Sequence, residues 1–165
     1  MAELPVDVIR SKRRKRTLSA RVIEGRLEVR VPDGMDPDEE RRLIDALLER
    51  ARRKISSATV DLRKRAAELA LRYRLPAPLS VEWSSRQMKR WGSCTPDDGK
   101  IRISNRLAEM PPWVLDSVLV HELAHLEVSG HGPEFRKLVA RYELTERATG
   151  YLIAISEGRS GLRVG

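Results

Sequence analysis

Helices and short strands share this sequence, and three observations predict the mixed α and β class. Residues 18–31 alternate apolar and polar with period two, residues 43–55 and 62–73 repeat apolar side chains every three or four, and residues 113–128 are apolar almost all round. With 165 residues, 41% hydrophobic and 34% charged, the chain can bury one sizeable core and is too apolar for a disordered tail. Aromatic residues reach only 4%, so Leu, Val, Ile and Ala must fill that core.

The elements follow in order. Leu18, Ala20 and Val22, then Leu27, Val29 and Val31, alternate on either side of Glu24-Gly25, which predicts a β-hairpin ended by Pro32. Asp36 can cap a helix with Pro37 at its first position and Glu39 completing a capping-box pattern. Leu43, Ile44, Leu47, Leu48, Ala51 and Ile55 give that helix one apolar face. Acids crowd its start and Arg52, Arg53 and Lys54 its last turn, as the helix dipole favours.

A second helix fits 60–74, with Leu62, Ala66, Leu69, Ala70 and Tyr73 on one face, and must stop before Pro76. Strands fit 79–83 and 100–104, separated by the turn-rich Thr95-Pro96-Asp97-Asp98-Gly99. The helix of 113–128 has the pattern of a buried central one, ended by Ser129-Gly130. Gly132-Pro133 opens another helix with Phe135, Leu138, Val139 and Tyr142, and a last helical stretch at 144–157 precedes a Gly/Arg/Ser tail expected to be disordered.

Charge and cysteine content narrow the setting. The net charge of +8 is mostly local, since residues 10–30 hold nine basic and two acidic residues centred on Lys12, Arg13, Arg14, Lys15 and Arg16. That run is a candidate footprint for nucleic acid or another polyanion. The favoured reading is a solvated strand edge, because no aromatic residue interleaves with the basic ones to stack bases. A single cysteine, Cys94, excludes an internal disulfide framework. No apolar run reaches membrane-spanning length and the charged N-terminus has no signal-peptide core, so the chain is expected in the cytoplasm.

Chemistry enters at His121-Glu122-Leu123-Ala124-His125, inside the buried helix. Residues four apart stand above one another on a helix face, so both imidazoles can reach one ion. Glu122 projects at the neighbouring angle, where a carboxylate can touch a metal-bound water without binding the metal. His131 follows six residues later, beyond a Ser-Gly break that lets the chain fold back. All three histidines of the protein therefore fall within eleven residues. Catalytic zinc takes three protein ligands and keeps a fourth position open, which His121, His125 and His131 would supply. Two His and a Glu in an apolar helix would be costly without such a partner.

Arg90-Trp91-Gly92-Ser93-Cys94, the 101–107 segment, Pro111-Pro112 and His121 to Leu126 followed by His131 and Phe135 together resemble the YgjP-like metal-dependent hydrolases. These are similar to the WLM and SprT-like metallopeptidases. Arg10-Ser11-Lys12-Arg13-Arg14-Lys15 and the hairpin extend the resemblance over nearly the whole chain, with its most specific part at 86–135. It implies an α+β, zincin-like metallopeptidase domain with an N-terminal β-hairpin, a small mixed sheet and a buried active-site helix. By the family pattern His121, His125 and His131 would hold one Zn2+ per chain, and Glu122 would be catalytic.

Zinc-activated water with Glu122 as general base describes a metallopeptidase acting on a peptide or protein. Two alternatives accompany it: a nucleic-acid-associated zinc protein, its zinc structural or its protease recruited to DNA, and a nucleoside triphosphate pyrophosphatase. The developing oxyanion needs a further electrophile, for which Arg90, Tyr142 and Tyr151 are candidates on chemistry alone. Strand 100–104 could be a sheet edge that pairs with a peptide, or could pair within the sheet. Cys94 reads first as a small buried residue, then as a fourth ligand, and last as a nucleophile. Trp83 and Trp91 read as core anchors. No linker divides the chain, so 1–165 is expected as a single domain. Its parts are 1–75 (hairpin and two helices), 76–157 (zinc-binding catalytic part) and 158–165 (flexible tail).

Overall fold

The computed structural model describes residues 4–13 and 17–160, with side chains to 157. The chain folds as two compact units, Met1–Ser56 and Ser57–Gly165. A division after 75 is not seen, because the second helix packs on the central helix and on the strand that follows it.

The first unit is a three-stranded sheet covered by one helix. The expected hairpin is present as β2 (Ser19–Ile23) and β3 (Arg26–Pro32), antiparallel about Glu24 and Gly25. Both turn residues take positive φ, 50° and 75°, the twist that suits a two-residue hairpin. A strand absent from the sequence reading, β1 (Val6–Ser11), pairs in parallel on the other side of β3. Val8 and Ile9 are adjacent and both exposed, which blurs the alternation that would have marked β1.

Leu27, Val29 and Val31 on β3 meet Ile44, Leu47, Leu48 and Ala51 of α1 (Pro37–Ala58). Asp36 caps α1, its Oδ1 accepting from the N–H groups of Asp38 and Glu39 at 3.1 and 3.0 Å. Two details differ from expectation. Ile55 stands 44% exposed, beyond the residues packed on the sheet. Arg52, Arg53 and Lys54 are not in the last turn, since α1 runs on through Ile55, Ser56 and Ser57 to Ala58.

The second unit is built around α3 (Pro112–Ala124), in which Val114, Leu119, Val120, Leu123 and Ala124 are fully buried. Against it lie α2 (Leu62–Tyr73), a sheet, α4 (Pro133–Val139) and α5 (Thr145–Ser160). Asp61 caps α2 through Lys64 N–H at 3.0 Å, and Arg74 ends it in the left-handed region. Arg65 on α2 forks both oxygens of Asp116 on α3, an otherwise buried carboxylate. Residues 158–160, expected in the tail, belong to α5, whose backbone continues to Ser160; the rest of that expectation, 161–165, lies outside the described residues.

The sheet corrects one expectation. Its order is β4 (Ser80–Ser84), β6 (Lys100–Ser104), β5 (Gly92–Thr95), with β4 parallel and β5 antiparallel to β6. Strand 100–104 is therefore central, both of its sides are taken, and no peptide can add to it. The outer positions belong to β4 and to β5, the latter too short and too rich in small residues to register as a strand in sequence. No helix among the described residues is long and apolar enough to cross a membrane.

Candidate metal centre

α3 carries His121, with His125 at its C-cap one turn on, and ends four residues earlier than the apolar pattern suggests. Tight turns follow, with Leu126 N–H reaching Leu123 C=O at 3.1 Å and Val128 N–H reaching Ala124 C=O at 3.0 Å. They bring the Val128 carbonyl to within 3.1 Å of His125 Nδ1. A carbonyl can only accept, so Nδ1 carries the proton and His125 Nε2 presents a bare lone pair.

The chain then returns His131 to the same face. His131 Nε2 lies 3.2 Å from His125 Nε2 and 3.4 Å from His121 Nε2. Tetrahedral zinc at ~2.0–2.1 Å from each nitrogen spaces its donors by about 3.3 Å, which both His131 distances match, and the three ligand atoms all lie within 4.8 Å of one another. Hydrogen bonding does not account for it equally well: one proton on His131 Nε2 cannot serve both contacts. Among the described residues this trio is the only cluster of its kind that could hold a metal ion.

Phe135, 3% exposed, backs the trio. Its ring stacks on His125 at 4.3 Å between centroids and meets His121 and His131 at 4.8 Å. Burial holds His121 down to about 4, helped by its two imidazole neighbours, and also lowers His125. Both are thus neutral, and able to bind a metal, at physiological pH.

Glu122 is 6% exposed, and burial pushes its carboxyl up to about 7, partly offset by the charge of Arg90. What makes room for it is Gly92 on β5. A Cβ there would stand 2.5 Å from Glu122 Oε1 and 2.8 Å from its Cγ, so no other residue fits without moving the carboxylate. A glycine inside a strand signals such an approach in sequence, but only once the strand is recognised.

These groups line a cleft of about 950 Å3. β5 with Arg90 and Trp91 forms one wall, the His121 face of α3 the floor, and Thr149, Leu152 and Ile153 of α5 the other wall. Among the described residues no strand pairs with the outer side of β5. Of the three candidate electrophiles only Arg90 borders the cleft. Tyr142 is buried with its hydroxyl donating to Trp113 C=O at 2.9 Å, and Tyr151 packs edge-on against Trp113. Their aromatic rings pack on the core, and neither residue lines the cleft.

Cys94 borders the cleft but stands outside the histidine trio and packs against the core. Burial, with the charge of Glu122, pushes its thiol up to about 11, which disfavours the thiolate a ligand or nucleophile needs. Trp83 packs on the core, whereas Trp91 both packs there and borders the cleft.

The basic run lies apart in sequence, and three of its nine basic residues are paired among the described residues. Arg10 pairs with Glu40, Arg26 with Asp7 and Arg30 with Glu28. Lys12 and Arg13 occupy the turn after β1 with no ion pair among the described residues, and Arg14, Lys15 and Arg16 lie outside those residues.

Two solved structures are similar to part of this chain, each with a TM-score of 0.49. The metallopeptidase zymogen of Pyrococcus abyssi abylysin is 22% identical over 56% of this chain and 91% of its own. That of Methanocaldococcus jannaschii jannalysin is 15% identical over 57% and 95%. No curated protein matches. The family model described as YgjP-like, metallopeptidase domain, matches residues 8–143, which take in β1 through α4 and the whole histidine cluster. By that match, spanning most of its length, the chain belongs to the YgjP-like metallopeptidase family.

Proposed function

We propose that the protein hydrolyses peptide bonds with one zinc ion per chain, held by His121, His125 and His131. The observation that carries this reading is the spacing of their Nε2 atoms, 3.2 and 3.4 Å, with the Glu122 carboxylate buried beside them in an open cleft. Zinc bound there supplies a Lewis acid for the substrate carbonyl and water acidified to near neutrality. Glu122 takes the proton of the attacking water and delivers it to the departing amine. A carboxyl raised to about 7 suits both steps at neutral pH. Arg90 faces the developing oxyanion as its further electrophile. The free side of β5 offers an extended peptide the backbone hydrogen bonds that β6 cannot.

The cleft favours a peptide over a nucleoside triphosphate. Arg90 is the only Lys or Arg among the described residues lining it, and a triphosphate would call for several cations. The test is metal analysis together with a screen of peptide pools and nucleoside triphosphates, run on the protein and on Glu122→Gln. One zinc per chain in both, with peptide cleavage lost only in Glu122→Gln, is expected. Cleavage undiminished in that variant, or activity on triphosphates alone, refutes the reading.

A second role rests on Lys12 and Arg13, which have no ion-pair partner among the described residues. They could hold a polyanion that brings the hydrolase to its substrate. Binding of a DNA duplex should then weaken steeply with salt and survive Glu122→Gln, but fail when Lys12, Arg13, Arg14, Lys15 and Arg16 are neutralised. Absent or salt-independent binding removes this role.

A further inference from the structure

The Glu122 carboxylate receives no hydrogen bond from any described residue. Its place is set by packing, chiefly by the backbone of Gly92. What fixes Gly92 is therefore what fixes the base, and the contacts around it converge on one side chain.

Arg106 follows β6 and is 7% exposed, with its guanidinium 3.8 Å above the centre of the Trp91 ring. Its Nη2 donates to the Arg90 carbonyl at 2.8 Å and its Nε to Ser104 Oγ at 3.0 Å. Ser104 in turn donates its N–H to the Trp91 carbonyl at 2.8 Å and its hydroxyl to the Gln87 carbonyl at 3.1 Å. Gln87 closes the circuit by donating to Ser93 Oγ at 2.6 Å. The two carbonyls immediately before Gly92, and the side chain immediately after it, are thus held by one buried network.

Only a planar fork can stack on an indole and still donate to two acceptors in its own plane, so lysine cannot take this place. We propose that Arg106 is a positioning residue: it clamps Arg90-Trp91-Gly92 so that Gly92 holds the Glu122 carboxylate over the metal-binding trio. The proposal rests on the reading of Glu122 as the base, and extends it to a residue that touches neither metal nor substrate.

The test uses benzohydroxamate, which chelates zinc and gives its proton to a neighbouring base, so its affinity reports the placement of Glu122 without a peptide substrate. Calorimetry on the zinc-loaded full chain compares the wild type, Arg106→Met, Glu122→Gln and the double variant. Arg106→Met should weaken benzohydroxamate at least about tenfold, the loss expected when a charged hydrogen-bond donor is removed. Zinc stoichiometry should be unchanged, and the double variant should bind no more weakly than Glu122→Gln.

Equal weakening by Arg106→Met in both backgrounds overturns the proposal, as does no weakening, or loss of zinc in parallel. A wild type that carries zinc and does not bind benzohydroxamate overturns it too. If Arg106→Met does not fold, Ser104→Ala removes the hydroxyl link alone. It should weaken the ligand about threefold with the same dependence on Glu122, and its silence counts against the clamp. Should the predicted pattern hold while no peptide is ever cleaved, the peptidase reading falls and the positioning role stands.

Discussion

Replacing Glu122 by Gln should stabilise the metal-free protein at pH 8, and far less at pH 5. Burial raises the folded-state pKa of Glu122 from 4.5 to about 7. As pH climbs through that interval the unfolded chain gives up the proton while the folded chain keeps it. The folded state then binds more protons, so stability falls with rising pH. Below pH ~4.5 the group contributes nothing, and above ~7 the full penalty is present. A gap of about 2.5 units at 1.36 kcal/mol each makes that penalty about 3 kcal/mol at pH 8, and under about 1 kcal/mol at pH 5. Gln keeps the shape and cannot ionise.

Any cost of burying its amide is the same at both pH values and cancels in the difference. His121 runs in the opposite sense, its lowered pKa removing stability as pH falls from 6.5 towards 4; it is present in both proteins and cancels as well. Urea unfolding of the chelator-treated proteins at pH 5 and pH 8 measures the quantity directly. The advantage of Glu122→Gln should grow by about 2 kcal/mol between the two, and zinc should shrink it, since a nearby cation favours the carboxylate. An advantage that is constant with pH, or larger at pH 5, would mean that Glu122 is not a strained buried carboxylate, and the case for it as the base would lose its physical ground.

Three further outcomes follow from the geometry. Gly92→Ala puts a Cβ where Glu122 Oε1 stands, so kcat on a cleaved peptide should drop about 10- to 100-fold with zinc content unchanged; an unaltered kcat excludes the contact. His131→Ala removes one of three donors, and competition against a chromophoric chelator should find zinc bound at least about 100-fold more weakly, exceeding the effect of losing an outer partner. Arg65→Ala leaves the Asp116 carboxylate buried without its fork, and chemical denaturation should register a loss of about 2 kcal/mol, lessened by the partial exposure of Arg65. A loss below about 0.5 kcal/mol would mean that Asp116 finds water instead.

Local rules made much of this legible. The Asp36 cap, the Glu24-Gly25 hairpin, strand 100–104 and the buried face of α2 depend on neighbours in sequence, and each stands where its residues place it. The histidine trio is likewise local, because two of its members stand one helix turn apart and the third needs only a short reversal. What escaped depends on partners distant in the chain. β1 owes its existence to a parallel pairing with Leu27 to Pro32, and β5 to pairing with β6. Gly92 acquires its meaning only when β5 is laid against α3, thirty residues further on. Tyr142 and Tyr151 had chemistry fit for an oxyanion, but the Tyr142 ring packs on Tyr73 with its hydroxyl on the Trp113 carbonyl, and the Tyr151 ring packs on Trp113.

The central helix also separates structural from functional polarity. Asp116 and Glu122 are six residues apart on α3, both carboxylates and both 6% exposed. Asp116 is answered at once by the Arg65 fork on both of its oxygens. Glu122 has no such fork, only the charge of Arg90, and its acidity moves towards neutrality. A helix this apolar can carry a paired carboxylate for stability. An unpaired one lowers stability whenever it ionises, and is retained where a proton must be taken up and released. On the proposed reading, the His121 and His125 rings beside it, kept neutral by the same burial, would bring that proton transfer to a metal.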